Sequence, residues 1–451
     1  VALTRVVSNV RDSPPKSFLL LFLEKEGLAF SSHTSPVSSA AMNAPLPALS
    51  ARQSAIELSA TIAMAERARA LRAEGRDIIS LSLGEPDFPT PPHAVEAAHQ
   101  AALRGETKYP AVGGSPALKA AIAAKFFRDS GLRFGPDQIL VAHGAKQIIY
   151  DALTASLDPG SEVIIPAPYW NAYPLITRMA QGVPVFLPCD AEDDFLPRPE
   201  RLEAAITPRT RWVILNFPSN PTGAVCPAPH LAALAEVLRA HPHVWIMSDD
   251  MYEHLIHDGS ANATIASVAP DLAGRVLTIS GVSKTYAMTG WRVGYAGGAR
   301  TLIAAMAKIQ GQATGGVSPI AQAAAVAALE GPQDQVAAMR ATYAARSRRV
   351  GALLAAIPGL ACRQPAGAFY LYPSVAAFIG ARTAGGRRIG SDADFCEALL
   401  EEAGVAAVHG GSFGASPYIR ISTASSDAQL EAACLRIAGF CLGLQKEAVL
   451  F

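Results

Sequence analysis

Lys284 lies in the stretch SGVSKTYAMTGWRVG (280–294), just past the apolar, β-branched run RVLTIS (275–280). That run has the composition of a buried strand. A lysine is ordinarily a solvated surface charge. One placed directly after a buried strand is partly desolvated, so its amine can lose a proton and form a Schiff base with a carbonyl. Arg292 follows eight residues later. A guanidinium at a fixed offset can hold a phosphate through paired hydrogen bonds. A Schiff-base lysine beside a phosphate anchor is the pair of groups that pyridoxal phosphate requires.

Other segments offer groups that suit the same cofactor. Asp249 follows the strand-like run VWIMS (244–248), with Tyr252 three residues on. A carboxylate at a strand end can simply cap the next helix. Against a pyridine nitrogen it would keep that nitrogen protonated and the ring electron-accepting. HGAKQ (143–147) joins a strand-like run to a helix-like one. The backbone N–H groups of Gly144 and Ala145 would make an anion site at the helix start, or merely a tight turn. NFPSNPTGAV (216–225) contains Asn-Pro-Thr-Gly, in itself a plain turn signal. His143 reads as structural.

The stretch around Lys284 resembles the lysine signature of class I aminotransferases of the fold-type I pyridoxal-phosphate family. Gly281, Ser283, Lys284, Ala287, Gly290, Arg292 and Gly294 fall where that pattern puts them. GEPDF, TKY, the NPTG turn and SDDMY agree with the family in the same order, and the likeness spans roughly residues 53–440. The resemblance implies that Lys284 carries the cofactor and catalyses proton transfer, with Ser283 and Arg292 at its phosphate beside Gly144 and Ala145. It implies Asp249 at the pyridine nitrogen, Tyr252 and Asn220 at the ring 3-oxygen, and Trp170 stacked on the ring. Tyr109 would reach the phosphate of a neighbouring subunit, giving a homodimer with shared active sites.

For the substrate, the resemblance implies Arg420 on the α-carboxylate, with Gly84, Trp170 and Asn220 also at the substrate. Lys146 matches a lysine that binds the distal carboxylate in one bacterial branch of aspartate aminotransferases; a surface lysine at the sheet edge is the bland alternative. The implied reaction is ping-pong transamination of L-aspartate with 2-oxoglutarate through a Lys284 Schiff base. Aromatic amino acids, alanine or prephenate are the alternative substrates. Glu57 stands near a position where some relatives accepting prephenate have lysine. A pyridoxal-phosphate lyase on the same fold is a further alternative. A regulator with an aminotransferase-like domain is disfavoured, since residues 1–52 are Ser/Pro-rich without a helix-turn-helix pattern.

The elements that must position these groups alternate. Strand-like segments are QILVAH (138–143), EVIIP (162–166), VPVFL (183–187), RWVILNF (211–217), VWIMS (244–248), RVLTIS (275–280) and VGYAGG (293–298), with helix-like segments between them. One helix starts at Ser115-Pro116, an N-cap followed by proline at the first helical position. Such alternation predicts an α/β fold, a mostly parallel seven-stranded sheet flanked by helices, with ligands at the carboxyl ends of strands. From about residue 318 the pattern changes to long alanine-rich helices, then GAFYLYP (367–373), YIRIS (418–422) and a last helix from about 426. These predict a smaller α+β domain over 331–451, joined by 53–91, beside a large cofactor-binding domain over 92–330.

The chain has 451 residues, half of them hydrophobic, and a formal net charge of zero. That suits a globular enzyme acting on small amino and keto acids. Nucleic acid and acidic membrane surfaces favour a basic excess. No apolar run reaches the ~18 residues of a membrane span. The six cysteines show no CxxC pair and no metal-ligand spacing. They read as reduced thiols, so the cytoplasm is the expected compartment. Residues 1–52 read as a disordered N-terminal extension, and the part ahead of Met42, residues 1–41, reads alternatively as sequence upstream of the true start.

Overall fold

The computed structural model of the protein describes residues 58–445, together with Leu49, Ser50, Gln53 and Ile56. Of the extension expected over 1–52, only Leu49 and Ser50 are among the described residues, and Glu57 lies outside them. The chain divides into two units, Val1–Gln53 and Ser54–Phe451. In the first, the Gln53 N–H donates to the Ser50 carbonyl at 2.9 Å. Everything below concerns the second.

Its strands, in chain order, are β1 (Ile79–Ser80), β2 (Ile139–Ala142), β3 (Glu162–Ala167), β4 (Val183–Pro188), β5 (Thr210–Asn216), β6 (Trp245–Asp249), β7 (Val276–Gly281), β8 (Gly294–Gly297), β9 (Tyr370–Leu371), β10 (Val405–Ala406), β11 (Val408–His409) and β12 (Ile419–Ser422). The seven segments read as strands in the sequence all enter one sheet, ordered β2-β8-β7-β6-β5-β3-β4. β4 closes one edge and carries Pro184 and Pro188, which an edge strand accommodates readily. β2, β7 and β8 are buried along their whole length, as apolar runs covered on both faces should be.

The direction of the strands decides where the site forms. β3, β4, β5, β6 and β7 run parallel to one another. β8 runs antiparallel to β7, and β2 antiparallel to β8, so β2 shares the direction of β7. One reversed strand thus sits inside an otherwise parallel sheet. The chain leaves β2, β5, β6 and β7 at one edge of the sheet and enters β8 at the same edge. Gly144 follows β2, Asn220 follows β5, Asp249 ends β6 and Lys284 follows β7, while Arg292 immediately precedes β8. Gly294 is in register with both Gly281 and Ala142, which brings the lysine, the arginine and the glycine turn together.

Helices cover the sheet. Pro116–Ser130 starts at Ser115, whose hydroxyl accepts the Leu118 N–H at 3.2 Å, and ends at Gly131 in the left-handed conformation (φ 68°). Ala145–Ser156 begins directly at the Gly144 turn and buries Ile148, Ile149, Ala152 and Leu153. Among the described residues, no helix is long and apolar enough to cross a membrane.

The remaining strands form two small sheets. β11-β12-β9 is antiparallel, and β1 pairs with β10 in parallel. Around them Leu354, Leu371, Phe395, Leu399, Ile419 and Ile437 form a separate buried core. The chain leaves β1 through Leu81, whose carbonyl accepts the Ser422 N–H at 3.0 Å. That bond sets the loop 82–88 beside Arg420 of β12.

Candidate active site

A cavity of about 420 Å³ opens at the edge of the large sheet just described. Lys284, Ser283, Asp249, Tyr252 and Asn220 line it from the sheet side, with Ala145, Lys146, Trp170 and Arg292. Gly84 and Arg420 line it from the side of the small sheets. Gly144 lies next to it at the helix start. Tyr109 does not line it and stands fully exposed.

The Lys284 Nζ donates to the Gly84 carbonyl at 2.6 Å. Burial lowers its pKa to about 8, with Arg420 and Arg292 acting in the same direction. Glu85 and Asp249 oppose the shift. The amine is therefore close to losing its proton at neutral pH, which a base or nucleophile needs.

Asp249 is buried at the end of β6. Its carboxylate accepts the Tyr173 hydroxyl at 2.6 Å and the Met251 N–H at 3.4 Å. Burial pushes its pKa up to about 6, against the bonds from Tyr173 and Met251 and the charge of Lys284. It can thus be a carboxylate near neutral pH, poised to hold a proton on a neighbouring nitrogen.

Arg292 takes a left-handed backbone conformation (φ 56°) as it enters β8. Its guanidinium donates to the Thr289 carbonyl at 2.8 Å and to the His143 carbonyl at 3.4 Å. A Cβ on Gly144 would come within 2.5 Å of its Nη2, and one on Gly294 would strike the Ala145 nitrogen. Two glycines therefore keep open the space between a guanidinium and a helix N-terminus, a cradle suited to a phosphate.

Arg420 is 2 % exposed. Its Nη1 donates to Asn220 Oδ1 at 2.9 Å, its Nη2 donates to the Ser82 carbonyl, and its Nε has no partner. The guanidinium lies between the rings of Tyr370 and Phe413, 4.8 and 4.9 Å from their centroids. A buried cation with an unmet donor, lining a cavity, is a ready carboxylate site. Lys146 supplies a second cation. Its Nζ sits 5.2 Å from the Trp170 ring centroid. Burial lowers its pKa, and Arg292 adds to that.

Sequence reasoning missed three participants. Tyr173 bonds to Asp249, Tyr370 bonds to Tyr252 at 2.7 Å, and Thr289 bonds to Glu85 beside the lysine. Tyr173 stands three residues after Trp170 in an amphipathic segment, the only local hint. Tyr370 reads in GAFYLYP as an ordinary strand residue.

These groups fit pyridoxal phosphate. The glycine-lined cradle with Arg292 accepts a phosphate, the buried Asp249 accepts a ring N–H, and the desolvated Lys284 amine lines the same cavity.

Comparison with known proteins agrees. The family described as aminotransferase class I and II matches residues 76–437. The chain is 53% identical to an aspartate aminotransferase of Rhizobium meliloti over 390 residues, covering 86% of this chain and 95% of that one. It is 52% identical to an aspartate/prephenate aminotransferase of Cereibacter sphaeroides, covering 86% of this chain and 97% of that one. The crystal structure of the Rhizobium meliloti aspartate aminotransferase superposes with a TM-score of 0.86 at 52% identity, covering 89% of this chain and 100% of that one. The Thermus thermophilus aspartate aminotransferase with maleate gives 0.82 at 39% identity, covering 88% and 100%. With a buried lysine, a phosphate cradle and two cations facing one cavity, and with relatives matched over nearly their whole length, this chain belongs to the class I and II aminotransferases, enzymes that work with pyridoxal phosphate.

Proposed function

We propose that this enzyme moves the amino group of L-aspartate to 2-oxoglutarate, giving oxaloacetate and L-glutamate in two half-reactions. The observation that carries the reading is the pair of cations, Arg420 and Lys146, lining the same cavity as Lys284. Both substrates are dicarboxylates, and two fixed cations match two carboxylates. Relatives named aspartate aminotransferase support it.

In this reading Gly144, Ala145, Ser283 and Arg292 hold the cofactor phosphate. Asp249 faces the pyridine nitrogen, Asn220 and Tyr252 the ring 3-oxygen, Trp170 the ring face, and Lys284 the reactive carbon. Pyridoxal phosphate, when bound, supplies an electron sink for the pair left when the substrate Cα loses its proton. Asp249 keeps the ring nitrogen protonated so that the sink is deep. Arg420 grips the α-carboxylate, Lys146 the distal one, and between them they fix the Cα hydrogen toward Lys284. The Lys284 Nζ, in its neutral form, would take the Cα proton as general base and give it back as general acid. Trp170 covers the ring and excludes water. Tyr109 of a second copy would reach the phosphate, which makes the enzyme a homodimer with shared sites. The reading also takes 92–330 as the cofactor-binding domain, 53–91 with 331–451 as the smaller domain, and the cytoplasm as the compartment.

The test is a panel of amino donors with 2-oxoglutarate, compared by kcat/KM. Aspartate should lead the panel. A non-acidic donor that exceeds aspartate would overturn the assignment. A second reading, prephenate as an additional amino acceptor, is favoured by relatives named aspartate/prephenate aminotransferase. Incubation with aspartate and prephenate should then release oxaloacetate; none released refutes it.

A further inference from the structure

We propose that Tyr370 is a positioning residue that couples carboxylate binding at Arg420 to the hydrogen bond Tyr252 makes with the cofactor. The proposal deepens the reading above and rests on Tyr252 facing the cofactor 3-oxygen.

Tyr370 is 1 % exposed and sits where three parts of the site meet. Its hydroxyl is 2.7 Å from the Tyr252 hydroxyl. Its ring meets the Tyr252 ring edge-on, with centroids 5.7 Å apart and planes at 76°. Its other neighbour is the Arg420 guanidinium, 4.8 Å from the ring centroid. Register fixes this arrangement, because Tyr370 pairs with Ser422, two residues beyond Arg420 on β12. Gly84 makes room for it: a Cβ there would overlap the Tyr370 hydroxyl.

The direction of the Tyr252–Tyr370 bond follows from proton counting. Each phenol has one O–H. If Tyr252 gives its proton to the cofactor 3-oxygen, the proton between the two tyrosines must come from Tyr370. Donation into Tyr252 polarises its O–H and strengthens the bond it makes onward. Burial raises the pKa of both phenols, and the positive charge of Arg420 opposes that rise, which makes each a better donor than burial alone would leave it. A carboxylate docked on Arg420 cancels part of that charge. The chain of donors then weakens, and the 3-oxygen holds more tightly the proton it shares with the lysine nitrogen. Binding of the substrate carboxylate is thereby felt at the reacting nitrogen. The charged groups acting on Tyr252 are Arg420 and Asp249, and those acting on Lys284 are Glu85, Arg420, Arg292 and Asp249.

Tyr370→Phe keeps the ring, its packing and its contact with Arg420 while deleting the donor. The holoenzyme is titrated with pH while its visible cofactor absorbance is followed, without and with saturating maleate, a dicarboxylate that cannot transaminate. The midpoint without maleate should rise by about half to one pH unit, the size of one neutral hydrogen bond. The maleate-induced rise should shrink relative to the parent. Adding Tyr370→Phe to Tyr252→Phe should move the midpoint no further, since the chain is already cut. A Tyr370→Phe enzyme with the parent's midpoint and the parent's maleate response overturns the proposal. If Tyr252→Phe shifts the midpoint in that case, only the Tyr370 step fails. If Tyr252→Phe also leaves it unmoved, the assignment of Tyr252 to the 3-oxygen fails with it.

Discussion

At the scale of single residues, the proposed function gives substrate choice to Lys146 rather than to Lys284. Lys146 is exposed, with its ammonium over the Trp170 ring, and partial desolvation together with Arg292 weakens its hold on a proton. A docked carboxylate restores that hold. Replacing it with alanine should therefore cost aspartate about 10- to 100-fold in kcat/KM, the worth of one hydrogen bond between charged groups. Phenylalanine, which has no distal carboxylate, should lose much less. Equal losses for the two donors, measured side by side, would remove Lys146 from substrate recognition. The cavity-lining groups at strand ends were legible in the sequence: Lys284 and Asn220 follow, and Asp249 ends, strands whose apolar runs mark them. Tyr173 and Tyr370 were not. They bond to Asp249 and Tyr252, partners 76 and 118 residues away, and no local pattern records a contact of that kind. The exposure of Tyr109 was equally unreadable, because a tyrosine in a turn has no periodicity to place it.

At the scale of elements, the helix Ala145–Ser156 is the most informative. The seven strand segments and this helix were readable from apolar runs and their lengths. The reversal of β8 was not, since an apolar run has no direction. Yet that reversal brings Arg292 to the Gly144 turn at the helix start. The turn into the helix depends on Gly144, which has φ 81° and would place any Cβ against Arg292. Gly144→Ala should weaken cofactor binding by roughly 10-fold or more and lower stability by about 1 kcal/mol, through backbone strain alone. Equilibrium dialysis of the cofactor with both proteins measures the first, and denaturant unfolding of the cofactor-free proteins the second. Two turns into the same helix lies Asp151, fully buried, with one carboxylate oxygen taking the Gln147 amide at 2.6 Å and the other unpartnered. Burial pushes its pKa up to about 7, and the Gln147 bond opposes that only in part. The folded state then binds this proton more tightly than the unfolded chain does. Its stabilising effect is whole below the unfolded carboxyl value near 4, falls as pH rises, and is gone above about 7. Asp151→Asn removes the titration. The gain in stability of the variant over the parent should thus be larger at pH 8 than at pH 4, by on the order of 2 kcal/mol. Parallel unfolding curves at the two pH values would refute a buried, titrating Asp151.

At the scale of the whole molecule, Tyr109 is an assigned member of the site that does not line its cavity. Tyr109 is fully exposed, and Leu103, at the end of the preceding helix, is exposed as well. Exposed side chains of this kind are suited to burial against another copy. If Tyr109 completes the phosphate site of a neighbour, two defects on different chains must complement. A Lys284→Ala chain lacks the base but carries an intact Tyr109. A Tyr109→Ala chain has the base but cannot serve its neighbour. In a mixed dimer, the site of the second chain has its own Lys284 and receives Tyr109 from the first, so it is whole. The opposite site lacks both. Dissociating and reassociating equal amounts of the two variants should recover about a quarter of the parental rate, one intact site in half of the dimers by random pairing. The measurement must be made at limiting cofactor, where loss of a phosphate contact is felt most strongly. Activity no greater than the average of the two variants assayed alone would mean that each chain works with its own residues only, and Tyr109 would then be a surface tyrosine.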